Sequence, residues 1–297
     1  MSNTERITQK ELQNILQLVK ENTKTECIAI RTKLSDRRLL TTCSKFGGLP
    51  YWPKSMSRPY PNTPGKLKLP LTMLAQINLS DLPENDVFPN KGMLQFFILN
   101  GTDMRCEVVF HKEIEEPIVF TRRGPIVPYS FMPREIEITQ KSGEKKTIPN
   151  LFWGEAGFPV EGELAIEFLK KYDFANITEN CFETEFKKAA KQLNISLSED
   201  FDVYAVCSDK IYNEFYEIGC GHKLLGRPCF VQYDYREDGD EDDILLFQID
   251  SAWSNSGEQD RHNFIVLGDA GVARFFIKKK DLEKLDFSEV YYEWDCC

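Results

Sequence analysis

Two glutamines lie inside apolar, strand-like runs, where a side-chain amide must find a hydrogen-bond partner. Gln76 stands in Leu-Ala-Gln-Ile-Asn and Gln248 in Leu-Phe-Gln-Ile-Asp. A buried amide without a partner costs about 1–3 kcal/mol. Either each amide bonds to backbone atoms in its own part of the chain, or the two amides face a shared cleft and bind a polar ligand. The first interpretation is the simpler one.

The polar residues best suited to acid–base chemistry are His222, Asp250 and Asp269. If their side chains converge in an open pocket, an enzyme is favoured; if they are scattered or cap backbone groups, a structural role is favoured. Asp269 has a sequence counterpart in Asn90, and both residue types form the Asx turn that can begin a strand. A structural role is therefore the simpler interpretation of Asp269.

The sequence predicts no metal and no cofactor. Cys220, His222 and Cys229 form a compact group, but paired zinc ligands are usually separated by about two to four residues and a fourth ligand is needed. The single residue between Cys220 and His222 also makes a nucleophile–base pair awkward. The acidic run at 238–243 lacks the glycine and the glutamate that an EF-hand loop places at fixed positions. We interpret that run as a solvated hairpin tip.

Composition argues against several classes of partner. The net charge is −10 and the pI about 5.1, whereas nonspecific binding to nucleic acid or to anionic membranes needs a basic surface. No apolar run reaches the roughly 20 residues of a membrane-spanning helix, and residues 1–10 lack the apolar region of a signal peptide. Nine cysteines without a pairing pattern indicate reduced thiols. We therefore expect a cytoplasmic protein.

Three short blocks occur twice, in the same order. Residues 44–50 resemble 222–228, residues 74–78 resemble 246–250, and Gly-Met-Leu-Gln-Phe-Phe-Ile at 92–98 resembles Gly-Val-Ala-Arg-Phe-Phe-Ile at 271–277. Spacers of varying length between fixed blocks are typical of a duplicated unit with insertions in surface loops. We predict one domain over residues 1–297, built of two repeats at about 25–140 and 200–297, with a helical connector at about 154–195.

The predicted elements give an α+β fold, internally duplicated, with largely antiparallel β-sheet halves and peripheral helices. Thr8 and Glu11 form a capping box before an amphipathic helix that ends near Asn22. Further helices are expected at 161–172 and 179–193, and strands at 71–79, 92–99, 105–111, 134–140, 201–207, 228–235, 244–249, 272–277 and 290–294.

Two pairs of adjacent phenylalanines lie in the repeated strands. Neighbouring residues of a strand point to opposite faces of the sheet. Phe96 and Phe97, like Phe275 and Phe276, should therefore be buried on both faces of one sheet. We expect the N-terminal helix and the helices near 161–193 to provide the cover.

Several motifs together have a recognisable pattern: Phe-Gly-Gly-Leu-Pro-Tyr-Trp-Pro, Leu-Ala-Gln-Ile-Asn-Leu, Gly-Met-Leu-Gln-Phe-Phe-Ile, Leu-Phe-Gln-Ile-Asp-Ser and Gly-Asp-Ala-Gly. With these motifs the chain resembles the YwqG-like family of bacterial proteins over about residues 46–282. The family has no assigned activity, substrate or cofactor, so the resemblance implies no catalytic residue.

The junction between the repeats is the expected place for a functional site, because ligands favour such junctions. The hypothesis is a binding module for a protein or a small polar ligand, with Trp52 and Trp253 flanking a groove and Asp250 and Asp269 inside it. The aromatic segment 51–70 around Trp52 supports this hypothesis. The alternative is an enzyme of unrecognised type that uses polar residues of the second repeat.

Overall fold

The structure is a computed structural model. It describes residues 7–34, 39–56, 71–99, 104–118, 135–139, 145–149, 158–160, 162–198, 200–236, 243–253 and 263–297, with the backbone alone for 34, 135–139, 145–149, 252–253 and 263–264. Most of the acidic run at 238–243, predicted to be a hairpin tip, and most of the aromatic segment 51–70 lie outside the described residues.

The described residues form four α-helices and fourteen strands. The helices are α1 (Gln9–Thr23), α2 (Cys181–Gln192), α3 (Asp209–Gly219) and α4 (Lys279–Leu282). The strands are β1 (Thr25–Leu34), β2 (Lys45–Gly47), β3 (Thr72–Asn78), β4 (Met93–Ile98), β5 (Cys106–His111), β6 (Glu135–Thr139), β7 (Lys145–Pro149), β8 (Glu163–Asp173), β9 (His222–Leu225), β10 (Asp243–Asp250), β11 (Ala252–Trp253), β12 (Asn263–Ile265), β13 (Val272–Lys278) and β14 (Tyr291–Asp295).

Ten of these strands form one antiparallel sheet in the order β14-β13-β10-β9-β1-β8-β2-β3-β4-β5. At its centre β1 pairs with β8 along its whole length, starting with Thr25 opposite Asp173. The sheet curves until it is nearly a barrel. Its two ends meet where Phe110 of β5 packs against Phe287, a few residues before β14, with ring centroids 5.6 Å apart. The antiparallel α+β class predicted from the sequence is confirmed.

The sheet has two flanks with matching strand pairings. The first flank is β2, β3, β4 and β5, and the second flank is β9, β10, β13 and β14. Lys45 of β2 lies opposite Gln76 of β3, as Lys223 of β9 lies opposite Gln248 of β10. The next strand pair in each flank is β3 with β4 and β10 with β13. In both pairs the register of the paired residues shifts just before the glutamine.

The inner face of the curved sheet holds the main apolar core. Phe96 packs there against Phe247 and Phe275, with ring centroids 4.6 and 5.0 Å away. The adjacent residues Phe97 and Phe276 point outwards and are also fully buried. The prediction that both phenylalanine pairs are buried on two faces is therefore confirmed.

The cover over the outward phenylalanines differs from the prediction. Two irregular segments provide it: the first cover (residues 48–56), where Trp52 contacts Phe97, and the second cover (residues 226–236), where Phe230 packs on Phe276. Helices α1, α2 and α3 instead pack on one another in a separate apolar cluster. Helix α1 begins as predicted, with the reciprocal capping box between Thr8 and Glu11.

The sequence-based assignment was wrong in three segments. Of the expected helix at 161–172, residues 163–172 belong to β8, because pairing with both β1 and β2 outweighs a Glu/Lys/Leu composition that favours a helix. Residues 201–207 contain a short 3₁₀ helix instead of a strand, and α3 follows it. Residues 228–235 belong to the irregular second cover.

We expect Gly47→Ala to destabilise the fold far more than Gly162→Ala. Both glycines have left-handed backbone, with φ of 64° and 76°, so both substitutions carry similar strain. A Cβ on Gly47 would collide with the carbonyl oxygen of Gly162, whereas a Cβ on Gly162 meets nothing within 4 Å. Urea unfolding of the two variants measures the difference. Equal losses of stability would contradict the close approach of β2 to residue 162.

Candidate functional site

Both buried glutamines bond to backbone groups of their own flank. The Oε1 of Gln76 accepts from the Tyr51 amide at 2.6 Å, and its Nε2 donates to the carbonyls of Thr41 and Cys43 at 2.7 Å each. Gln248 repeats this arrangement: its Oε1 accepts from the Cys229 amide, and its Nε2 donates to the carbonyls of Gly219 and Gly221, all at 2.9 Å. Each side-chain amide therefore bonds to backbone groups, as the simpler of the two interpretations predicts.

A series of hydrogen bonds between uncharged polar side chains lies under the first cover. Gln95 donates to the carbonyl of Tyr51 at 2.8 Å and to Oε1 of Gln76 at 2.9 Å, and its own Oε1 lies 3.0 Å from Nε2 of His111. Burial lowers the pKa of His111, although the Glu115 carboxylate opposes the shift. Trp52 is 1% exposed and packs edge-on against His111. Trp52 therefore covers these hydrogen-bonded side chains and does not line an open groove.

A charged network lies at the matching place under the second cover. Arg274 is fully buried, and its Nη1 donates to the carbonyl of Cys229 at 2.7 Å and to Asp295 at 2.8 Å. Its Nε donates to Glu293 at 3.1 Å, and its guanidinium lies 4.4 Å from the ring centre of Phe230. Burial raises the pKa of Glu293, and the charge of Arg274 opposes that shift. Such a network is stable only while all its charges stay paired.

The side chains of His222 and Asp250 lie close together, but each accepts a hydrogen bond from a backbone amide. The Asp250 amide donates to Nδ1 of His222 at 3.0 Å, and the Gly221 amide donates to the Asp250 carboxylate at 2.8 Å. Burial lowers the pKa of His222 to about 4. Burial raises the pKa of Asp250, while bonds from the backbone of Gly221 and Ser251 lower it. His222 acts as a buried acceptor for a backbone amide.

Asp269 does not join this pair, and the side chain of Trp253 cannot be placed relative to it. Asp269 lies exposed in the turn before β13, and no hydrogen bond among the described residues links it to His222 or Asp250. The backbone of Trp253 is in β11, which pairs with β12, while its side chain lies outside the described residues. Of the three acid–base candidates, the structure therefore brings together His222 and Asp250.

A groove lies instead where the two ends of the sheet approach each other. This seam groove encloses about 560 Å³, a size typical of ligand sites. One wall is β5 with the residue after it, and the other is the segment between α4 and β14. The lining residues are Cys106, Glu107, Val108, Phe110, Lys112, Leu285, Phe287, Ser288 and Val290.

The seam groove has an apolar floor and charged ends. Phe110 and Phe287 stack edge-to-face across it, and the Cys106 thiol donates to the carbonyl of Val290 at 3.5 Å. Burial, and then the charge of Glu107, raises the pKa of Cys106 to about 12, so this thiol stays protonated and is a poor nucleophile. Cys106 is therefore poorly suited to act as a nucleophile in this groove.

Sequence reasoning missed the lining residues of the seam groove. One usable signal existed in β5, where Cys106, Val108 and Phe110 occupy alternate positions of a strand and so share one face. Nothing local marks the second wall at 285–290, because its role depends on the curvature of the whole sheet.

The comparison with protein families covers most of the chain. Residues 44–296 match the family described as a domain of unknown function (DUF1963). The chain belongs to that family. No curated protein matches this DUF1963 chain.

The described part of the DUF1963 chain lacks two features that would point to a particular function. No cluster of three or more His, Cys, Asp or Glu side chains there could hold a metal ion. None of the helices found there combines the length and the apolar character needed to cross a lipid bilayer.

The buried neutral His222 should make stability fall between about pH 6.5 and pH 4. In that window the unfolded histidine binds a proton that the folded protein excludes, so lowering the pH favours unfolding. At pH 5 the loss attributable to His222 is about 2 kcal/mol relative to pH 7. His222→Ser keeps an acceptor, as Ser44 does for the Asn78 amide at the matched position. Urea unfolding at several pH values should show a flatter profile for this variant; parallel profiles would refute the prediction.

Arg274→Gln should destabilise the protein by about 3–5 kcal/mol, because it leaves Glu293 and Asp295 buried without their cation. Adding Asp295→Asn removes one of those charges and should recover part of the loss. Chemical denaturation of the two single variants and the double variant gives the coupling free energy. Strict additivity of the two changes would contradict a network held by charge pairing.

Proposed function

We propose that this DUF1963 protein is a binding module whose seam groove takes an extended peptide segment of a partner protein. The single observation that carries the proposal is the groove itself, which runs along β5 at the seam between the two flanks. The site thus lies at a junction between the two halves, but on other residues than Trp52, Trp253, Asp250 and Asp269.

The shape of the groove favours an extended occupant. β5 has six residues, which at about 3.3 Å per residue give a wall of roughly 20 Å. β5 is also the last strand of the sheet, with β4 as its strand neighbour. A peptide can add to such an edge by main-chain hydrogen bonds while its alternate side chains enter an apolar groove.

The charges at the two ends of the groove favour one peptide direction. Glu107 lies near the start of β5, and Lys112 follows its last residue. A peptide with a basic residue towards Glu107 and an acidic residue towards Lys112 would match both charges. Such rim charges contribute more to specificity and orientation than to affinity.

The enzyme alternative has weaker support. It rests on His222, Asp250 and Asp269, of which the first is a buried acceptor and the last an exposed turn residue. A base with a pKa of about 4 is protonated only in acid and is a poor proton acceptor near neutral pH.

We further propose that the two flanks arose by duplication of one unit within a single domain, and that the chain is a YwqG-like member of DUF1963. The matching lysine–glutamine pairs and the register shifts at equal places support the duplication. Nine free cysteines support a reducing, cytoplasmic environment.

Peptides selected from a random library displayed on phage should bind the wild-type chain and lose at least tenfold in affinity for Ser288→Arg. Ser288 is exposed on the groove wall, so a large side chain there fills the groove without disturbing the core. Fluorescence polarisation of labelled peptides measures the change.

Ser196→Arg is the matched control, since Ser196 is also exposed but lies after α2, away from the seam. It should bind the selected peptides as the wild type does. Failure to select any peptide, or equal binding by Ser288→Arg, would reject the seam groove as a peptide site.

A further inference from the structure

Two cysteines of the second flank have their sulfur atoms in contact. Cys220 follows the last residue of α3, and Cys229 lies in the second cover, with 3.5 Å between their Sγ atoms. A disulfide bond is about 2.05 Å long. A shift of about 1.5 Å between the two sulfur atoms would therefore join them.

Gln248 holds the backbone on both sides of this pair. Its Nε2 donates to the carbonyls of Gly219 and Gly221, the two neighbours of Cys220, and its Oε1 accepts from the amide of Cys229. The two cysteine backbones are thus fixed relative to each other by one side chain. This pre-organisation removes most of the conformational search that closing a disulfide would otherwise need.

The first flank provides an internal comparison. There Gln76 makes the same three bonds, to the carbonyls of Thr41 and Cys43 and from the amide of Tyr51. The residues held next to each other are Thr42 and Tyr51, which cannot form a disulfide. The shared backbone arrangement is therefore structural, and the cysteine pair is an addition of the second flank.

The two thiols differ in exposure. Cys229 is fully buried, whereas Cys220 is partly exposed. Gly221 follows Cys220 with φ of 92° and open space where a Cβ would stand, so no side chain at that position shields the thiol. The hydrogen bond shared with Cys220, and then burial, raise the pKa of the Cys229 thiol far above its ordinary value. Cys220 is the thiol that an external reagent meets first.

We propose that Cys220 and Cys229 form a reversible modification site, which low-molecular-weight disulfides such as oxidised glutathione convert into an intramolecular disulfide. The Cys220 thiolate attacks one sulfur of the reagent, the reagent's S–S bond breaks, and one glutathione leaves. Cys229 then attacks the Cys220 sulfur of the mixed disulfide, and the second glutathione leaves with the Cys229 proton. One dithiol is oxidised and one disulfide is reduced to two thiols, so atoms and electrons balance.

The bond would tie the end of α3 to the second cover. That cover closes the network of Arg274, whose Nη1 bonds to the carbonyl of Cys229 itself. Oxidation should therefore raise the melting temperature of the full chain, and reduction should reverse the rise.

The test is peptide mapping of the full chain after equilibration with mixtures of reduced and oxidised glutathione. The protein is denatured in the presence of an alkylating reagent, which blocks all free thiols. It is then digested with trypsin without reduction. Lys223 lies between the two cysteines, so cleavage after it places them on separate peptides. The expected result is a cross-linked pair of residues 211–223 and 224–236, which separates on reduction.

Two single-site variants control the result. Cys220→Ser should leave Cys229 as an alkylated free thiol and should abolish the rise in melting temperature. Cys106→Ser removes a partly buried cysteine of the seam groove and should form the 220–229 cross-link as the wild type does. The proposal is overturned if wild-type Cys220 and Cys229 are recovered separately, as alkylated thiols or glutathione adducts, or if Cys220 is found linked to Cys297.

Discussion

One buried glutamine in each flank joins a cover segment to the chain that leads into the first strand of that flank. Gln76 and Gln248 each accept from the amide of a cover segment and donate to two carbonyls of the chain that leads into the first strand of the flank. An unmet buried amide costs about 1–3 kcal/mol, so cover and strand entry are held together. The positions of the first and second covers over the outward face of the sheet depend on this interaction.

The two flanks share one backbone arrangement but bury different polar side chains beneath their covers. The first flank holds the neutral pair Gln95 and His111, whereas the second places Arg274 with Asp295 and Glu293. Neither interior opens to solvent, since Gln95 and Arg274 are fully buried. These networks fix the cover segments in place, and the candidate groove lies instead at the seam, between β5 and the chain before β14.

The candidate site therefore combines residues that are far apart in the chain. Cys106 to Lys112 form one wall of the seam groove, and Leu285 to Val290 form the other. The first wall can be anticipated as an alternating strand, but its pairing with the second wall cannot. The residues that sequence reasoning favoured, His222 and Asp250, do meet, yet burial turns them into partners for backbone amides.

The sequence by itself determined the features that depend on neighbouring residues: the capping box of α1, the buried strands β3, β4 and β13, and the need to bury both phenylalanines of each pair. Tertiary structure decided the rest. β8 has a helix-favouring composition but becomes a strand because β1 and β2 offer hydrogen bonds on both of its edges. The seam groove exists only because the twist and curvature of ten strands bring β5 close to the chain before β14, and no local pattern records that long-range closure.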